Sequence, residues 1–176
     1  LAQVVAAASP VPAGQRKQSP RLHPGLLVLL LTAALFQISR EIRLLAANIH
    51  LQIAMETPAV SARQLDHLNK AVQWTPEAFE PRFMLAAALA NAGQAGPAIT
   101  QAQIALEARE DLDARLLVAN ILEHEKEYKA STSAWRQVLD LNPCYPPYLR
   151  EAARRLERIG QKEEAEQYRR LAEKFE

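Results

Sequence analysis

Between Arg21 and Arg40 the chain runs eighteen residues, Leu22 to Ser39, without a formal charge. As a helix this stretch would be about 27 Å long at 1.5 Å per residue, close to the ~30 Å hydrocarbon core of a bilayer, and it predicts a transmembrane helix. Pro24 suits a first turn, where a missing N–H costs nothing, and the flanking arginines can reach the two interfaces. A buried core helix and a signal-peptide core meet the same length test. Against a cleaved signal, no small-x-small site comes after the run, and Arg40, Glu41 and Arg43 enter an amphipathic pattern. Ile38, Ile42, Leu45, Ile49 and Ile53 step by four, three, four and four, which keeps one apolar stripe on a helix predicted to run until Pro58. The anchor is expected to continue as the first helix of the soluble part.

Past residue 58 the breaks become regular. Pro76, in AVQWTPEA, and Pro143, in VLDLNPCY, are 67 residues apart, and so are Gly93 (LANAGQAGPA) and Gly160 (LERIGQKEEA). Two independent landmarks share one spacing, and 67 is 33 plus 34, the length of two helix–turn–helix repeats of the tetratricopeptide kind. With glycine at the turn, units start near Phe79 and Pro146; Trp135, in YKASTSAWRQVLDLNP, places another near Leu112, and the first begins near Leu45. Small residues fall at Ala86, Ala98 and Ala105 in the second unit and at Ala153, Ala165 and Ala172 in the fourth. The third departs, with Lys126 at the turn glycine and Ser131 beside Ala130. The first is the most degenerate, with Pro58 at its turn and Ala71 and Pro76 well placed. Gly160 is expected to serve both a tight turn and a close helix contact. The last helix, QKEEAEQYRRLAEKFE, is apolar along one side and charged along the other, which suits a terminal cap.

Over residues 45–176 the chain therefore resembles the tetratricopeptide repeat family. The resulting expectation is an all-α fold, one transmembrane helix continuing into an α-α superhelix of about four tetratricopeptide-like helical hairpins. Its parts are an irregular basic lead-in (1–21), the transmembrane helix and its extension (22–44), and the repeat domain (45–176). The resemblance implies a concave face that binds partners through the first helix of each unit. Its positions correspond to Phe83, Ala87 and Asn91, then Leu116, Asn120 and His124, then Arg150, Arg154 and Arg158. The path runs from apolar to basic. The two asparagines resemble peptide-backbone clamps of the family, whereas the lysines of its chaperone-binding carboxylate clamp are absent from these positions. The implied partner is a protein with an extended or helical segment, acidic at one end. The plainer alternative makes Phe83 and Leu116 packing residues and pairs the arginines with Glu151 and Glu157 on their own helix.

Composition narrows the function further. One cysteine excludes an intramolecular disulfide and a thiolate zinc site, and 21 basic against 20 acidic residues remove the basic field expected of a nucleic-acid binder. Residues 1–39 hold three basic residues and no acidic one, so the positive-inside rule puts the N-terminal side in the cytoplasm and the repeats on the periplasmic or extracytoplasmic side. Candidate chemistry is thin. His124 opens H-E-K-E-Y, without the second histidine of a helical zinc site; Cys144 has no nearby histidine; Gly93 and Gly96 lack the Lys-Ser/Thr of a phosphate loop; Glu163 and Glu164 point in different directions. No catalytic residue, cofactor or metal site is expected.

The reading is then a non-enzymatic, single-pass membrane scaffold that binds or positions another protein, an accessory subunit of a larger bacterial membrane complex, with lipid contacted through Leu22 to Ser39. The alternative rests on a second resemblance. A membrane helix merging into such hairpins is similar to the C-terminal periplasmic tail of O-antigen ligase and polymerase-type glycan transferases, whose catalytic residues would lie upstream. The coding region upstream of Leu1 separates the two readings: more membrane spans favour the ligase, and a start codon within a few residues favours the anchored scaffold.

Overall fold

The computed structural model describes residues 24–176; the basic lead-in and the first two residues of the proposed span lie outside the described residues. These residues form eight helices and no strand: α1 Pro24–Glu56, α2 Ala62–Trp74, α3 Phe79–Asn91, α4 Ala95–Ala108, α5 Leu112–His124, α6 Tyr128–Leu141, α7 Pro146–Arg158 and α8 Lys162–Lys174. The chain separates into two compact units, Leu1–Ser39 and Arg40–Glu176.

In the first unit the described residues are the start of α1. Its apolar stretch has mean hydropathy 1.6 and none of it is buried, so this helix is long and apolar enough to cross a membrane.

The second unit is a run of antiparallel hairpins. The helices of α3–α4, α5–α6 and α7–α8 pack most densely, and α2–α3, α4–α5 and α6–α7 join neighbours. No hairpin closes its own core. Ala54 of α1 shares one cluster with Leu68, Leu85, Ala98 and Ile121, drawn from the next four helices. A second gathers Ala86, Ala102, Val118, Ala134 and Trp135, and a third Leu139, Leu149, Ala152 and Ala172. Each hairpin buries its apolar face on the next, the arrangement that makes repeat stability a sum of unit and interface terms.

The turns show why the period holds. Gly93, Lys126 and Gly160 have φ of 73, 64 and 83°. Each N–H donates to the carbonyl three residues back, at 3.0 Å, and the next N–H donates to the carbonyl five back, at 2.9 Å; the acceptors are Ala90 and Leu89, Glu123 and Leu122, Glu157 and Leu156. These are three copies of the Schellman turn, so Lys126 holds the same left-handed conformation as the glycines. The expected close helix contact at Gly160 is absent: a Cβ there, or at Gly93, would meet nothing within 4 Å. Glycine is needed for its φ alone. In the first hairpin the left-handed residue is Val60 (φ 63°), just before the cap Ser61, rather than Pro58.

Small side chains mark where the helices cross. Ala98, Ser131 and Ala165 lie five residues after the left-handed position and Ala86, Ala119 and Ala153 seven before it, all at most 1% exposed. Serine is tolerated at 131 because its hydroxyl donates to the Ala119 carbonyl at 2.9 Å. A buried hydroxyl without that acceptor would be costly.

Candidate functional site

The side formed by α3, α5 and α7 carries the nine positions implied by the family resemblance. Phe83 is half-buried, its ring 5.5 Å from that of Phe79 and nearly parallel, against Ala105 and Ala114. Leu116 is half-buried against the cluster around Val118 and Trp135. Ala87 is half-buried too. These three side chains contribute chiefly to packing.

Asn91, Asn120 and His124 are exposed and come together. With Ala90, Gly93, Ala95, Leu117, Ile121 and Glu125 they line an open cavity of about 200 Å³ between α3, the start of α4 and α5. Two amides and an imidazole offer both donors and acceptors over an apolar floor, which is chemistry for gripping a peptide backbone.

The arginines differ from a free cationic stripe. Arg150 pairs with Glu176, Arg154 with Glu151 at 2.9 Å, and Arg158 with Glu123. All three guanidinium groups stay substantially exposed while holding a carboxylate of the chain itself. Glu157, a partner expected on the same helix, pairs instead with Arg169 of α8.

Arg155, absent from the sequence-derived set, is the centre of this cluster. Its side chain is 8% exposed and pairs with Glu123 and Glu151. It also donates to the Asn120 side-chain oxygen at 3.3 Å, and its guanidinium carbon lies 4.3 Å from the Trp135 ring centroid. One residue of α7 thus ties together α5 and α6 and orients an asparagine of the cavity. The available sequence signal was Glu151 four residues earlier on the same helix; Glu123, Asn120 and Trp135 arrive through tertiary packing.

Two further arrangements lie apart from these nine positions. Nδ1 of His50 on α1 and Nδ1 of His67 on α2 are 3.0 Å apart, so one ring donates a proton to the other. No group of three or more metal-ligating side chains occurs among the described residues. Between α6, α7 and α8, Arg136, Leu139, Asp140, Pro143, Leu149, Tyr168 and Leu171 border a cavity of about 470 Å³. Arg136 bridges α6 to Glu164 of α8 at 2.7 Å. Burial pushes the Tyr168 phenol above its ordinary value, the carboxylates of Glu164 and Asp140 adding to the shift and Arg136 opposing it.

Known structures share this architecture. The chain superposes on MamA 41-end from Desulfovibrio magneticus RS-1 with a TM-score of 0.64 at 18% identity, covering 74% of this chain and 76% of that one. A crystal structure of MamA gives 0.61 at 18% identity, with 77% of both chains covered. YrrB, described as a TPR protein with an unusual peptide-binding site, gives 0.56 at 21% identity, covering 74% of this chain and 66% of that one. The hairpin stack is tetratricopeptide-like. No protein-family model matches the sequence, and no curated protein does either.

Proposed function

We propose that the chain is a membrane-anchored helical-repeat scaffold, not an enzyme, that binds or positions another protein within a larger membrane complex. The observation that carries this reading is the cavity where Asn91, Asn120 and His124 converge over the edge of the core cluster that holds Ile121. Arg155 reaches the cavity through Asn120 and shares α7 with Arg150, Arg154 and Arg158, four cations against the three carboxylates Glu123, Glu151 and Glu176. An extended or helical segment, acidic at one end, could lie in the cavity and exchange its carboxylates for those of Glu151 or Glu176. The YrrB description supports peptide binding as a use of this fold. The unburied apolar start of α1 supports lipid contact through Leu22 to Ser39, and the basic lead-in supports repeats on the periplasmic side of a bacterial membrane.

The test is site-specific photocrosslinking of the full chain in its native membrane. A photoreactive residue at Asn91 or Asn120 should form one discrete protein adduct, and one at Ser133, exposed on α6, should not. An adduct at Ser133 alone would move the interface to the second helices. A second reading, the periplasmic tail of an O-antigen ligase-type glycan transferase, is favoured by α1 being one helix that leads into the hairpins. Additional membrane spans encoded upstream of Leu1 would select it.

A further inference from the structure

The repeat unit buries only one side of α1. Ala47 and Ala54 are 2% and 0% exposed, and Leu51 and His50 beside them are half-buried toward α2. A helix covered on one side by its own fold should be polar on the other. This one is not: Ile42, Leu45 and Ile49 stand on the uncovered side at 57, 62 and 51% exposure.

These three belong to a longer series in the sequence. Val28, Leu35, Ile42 and Ile49 recur every seven residues, and Leu31, Ile38 and Leu45 fall between them, alternating steps of three and four. All seven are between 51 and 65% exposed. That is the a/d spacing of a coiled coil, with the first four members a and the other three d. In the same lettering Ala47 and Ala54 are at f, opposite the seam, so the surface given to α2 and the free surface do not compete. The charged residues of this part of α1 avoid the seam as well: Arg40 is at f, Arg43 at b and Glu41 at g.

Lipid tails can cover the first members of the series but not the last. Ile49 lies nine residues past Arg40, about 14 Å along the helix, beyond the point where charge begins. We infer that α1 docks on α1 of a second copy of this chain, forming a parallel two-helix seam. Three properties select a second copy. Single-pass chains inserted alike present α1 in one direction, so the pairing is parallel and every a meets its own counterpart. Of the four a positions, three are β-branched, and of the three d positions, two are leucine, the combination that favours two strands. Neighbouring Thr32, Ala34, Ser39 and Ala46, at e or g, are small enough for close approach. The parallel orientation rests on the membrane-anchored reading.

The experiment uses the full chain with the exposed Cys144 replaced, Cys144→Ser, and single cysteines at Ile38, Leu45 or Ile49 on the seam and at Arg40 or Arg43 off it. Each variant is reconstituted in phosphatidylcholine vesicles, floated on a density gradient and oxidised. Seam cysteines should give at least about fivefold more disulfide-linked dimer than Arg40→Cys or Arg43→Cys, because only a and d positions approach disulfide distance. Equal linkage at all positions, or none in protein that floats, overturns the dimer. Failure to float overturns the membrane reading instead, and seam-patterned linkage in such material would leave the pairing standing.

Discussion

Arg155 offers the sharpest test of how the candidate face is held together. In the native fold its guanidinium is removed from water and meets Glu123, Glu151, Asn120 and the indole of Trp135, while its Nε has no hydrogen-bond partner in the protein. Breaking a buried pair so that a charge is stranded costs about 3–5 kcal/mol. Here truncation strands neither carboxylate, since Glu123 keeps Arg158 and Glu151 keeps Arg154, so the electrostatic loss falls below that range. Loss of the guanidinium–indole contact adds roughly 1 kcal/mol, and release of the unpartnered Nε returns a comparable amount. Arg155→Ala should therefore destabilise by about 2–3 kcal/mol. Arg155→Met keeps an apolar stem against Trp135 and introduces no unsatisfied donor, so it should cost about 1 kcal/mol or less. Urea unfolding of the full chain in detergent, followed by tryptophan emission, reads both from the midpoint, with Trp135 itself reporting the site. Equal losses for alanine and methionine would refute the argument, because stability would then depend on the charge and not on the packed stem.

Other outcomes rest on the same geometry. Lys126→Gly and Val60→Gly should each stabilise the fold by about 0.5–1 kcal/mol, read as a higher unfolding midpoint, since both residues hold a positive φ that costs an L side chain about 1–2 kcal/mol. Gly160→Ala should lower stability by about 0.5–1 kcal/mol, the reverse of the gain at Lys126, because the strain is in φ and an added Cβ meets open space; a loss of roughly 3 kcal/mol or more for alanine would restore a packing role. Tyr168 has its folded value raised above 10.0, so its contribution is intact below that pH and is lost as pH climbs through the folded value. Stability should fall more steeply above pH 10 in the native chain than in Tyr168→Phe, as read by unfolding midpoints across an alkaline series. For partner binding, Arg154→Glu should weaken association and flatten its salt dependence, whereas Lys129→Glu, on the exposed start of α6, should leave both unchanged in the same pull-down.

The repeat was legible because its physics is local. A left-handed residue must come after each first helix and small residues must flank it at fixed offsets, so Gly93 and Gly160, Ala86 and Ala153, Ala98 and Ala165 repeat in the sequence itself. The apolar run before Arg40 is legible for the same reason, since length and absence of charge are properties of one segment. Lys126 shows the limit of such reading: the backbone conformation is imposed by the hairpin it closes, and lysine bears a strain that sequence alone presents as a missing glycine.

What only the tertiary structure decided is the state of the charges and rings on the candidate face. Arg150, Arg154 and Arg158 form a regular stripe on α7, yet each is paired, and the carboxylates that pair Arg150 and Arg158 are on the terminal residue Glu176 and on α5. Arg155 is marked in the sequence only by Glu151 four residues earlier, and Trp135 and Glu123 reach it through packing. His50 and His67 are seventeen residues apart and become a hydrogen-bonded pair only when α1 and α2 fold together. Periodicity and turn chemistry act over a few residues and are written in order along the chain. Ion pairing and burial act through space, between residues whose separation in sequence bears no relation to their distance.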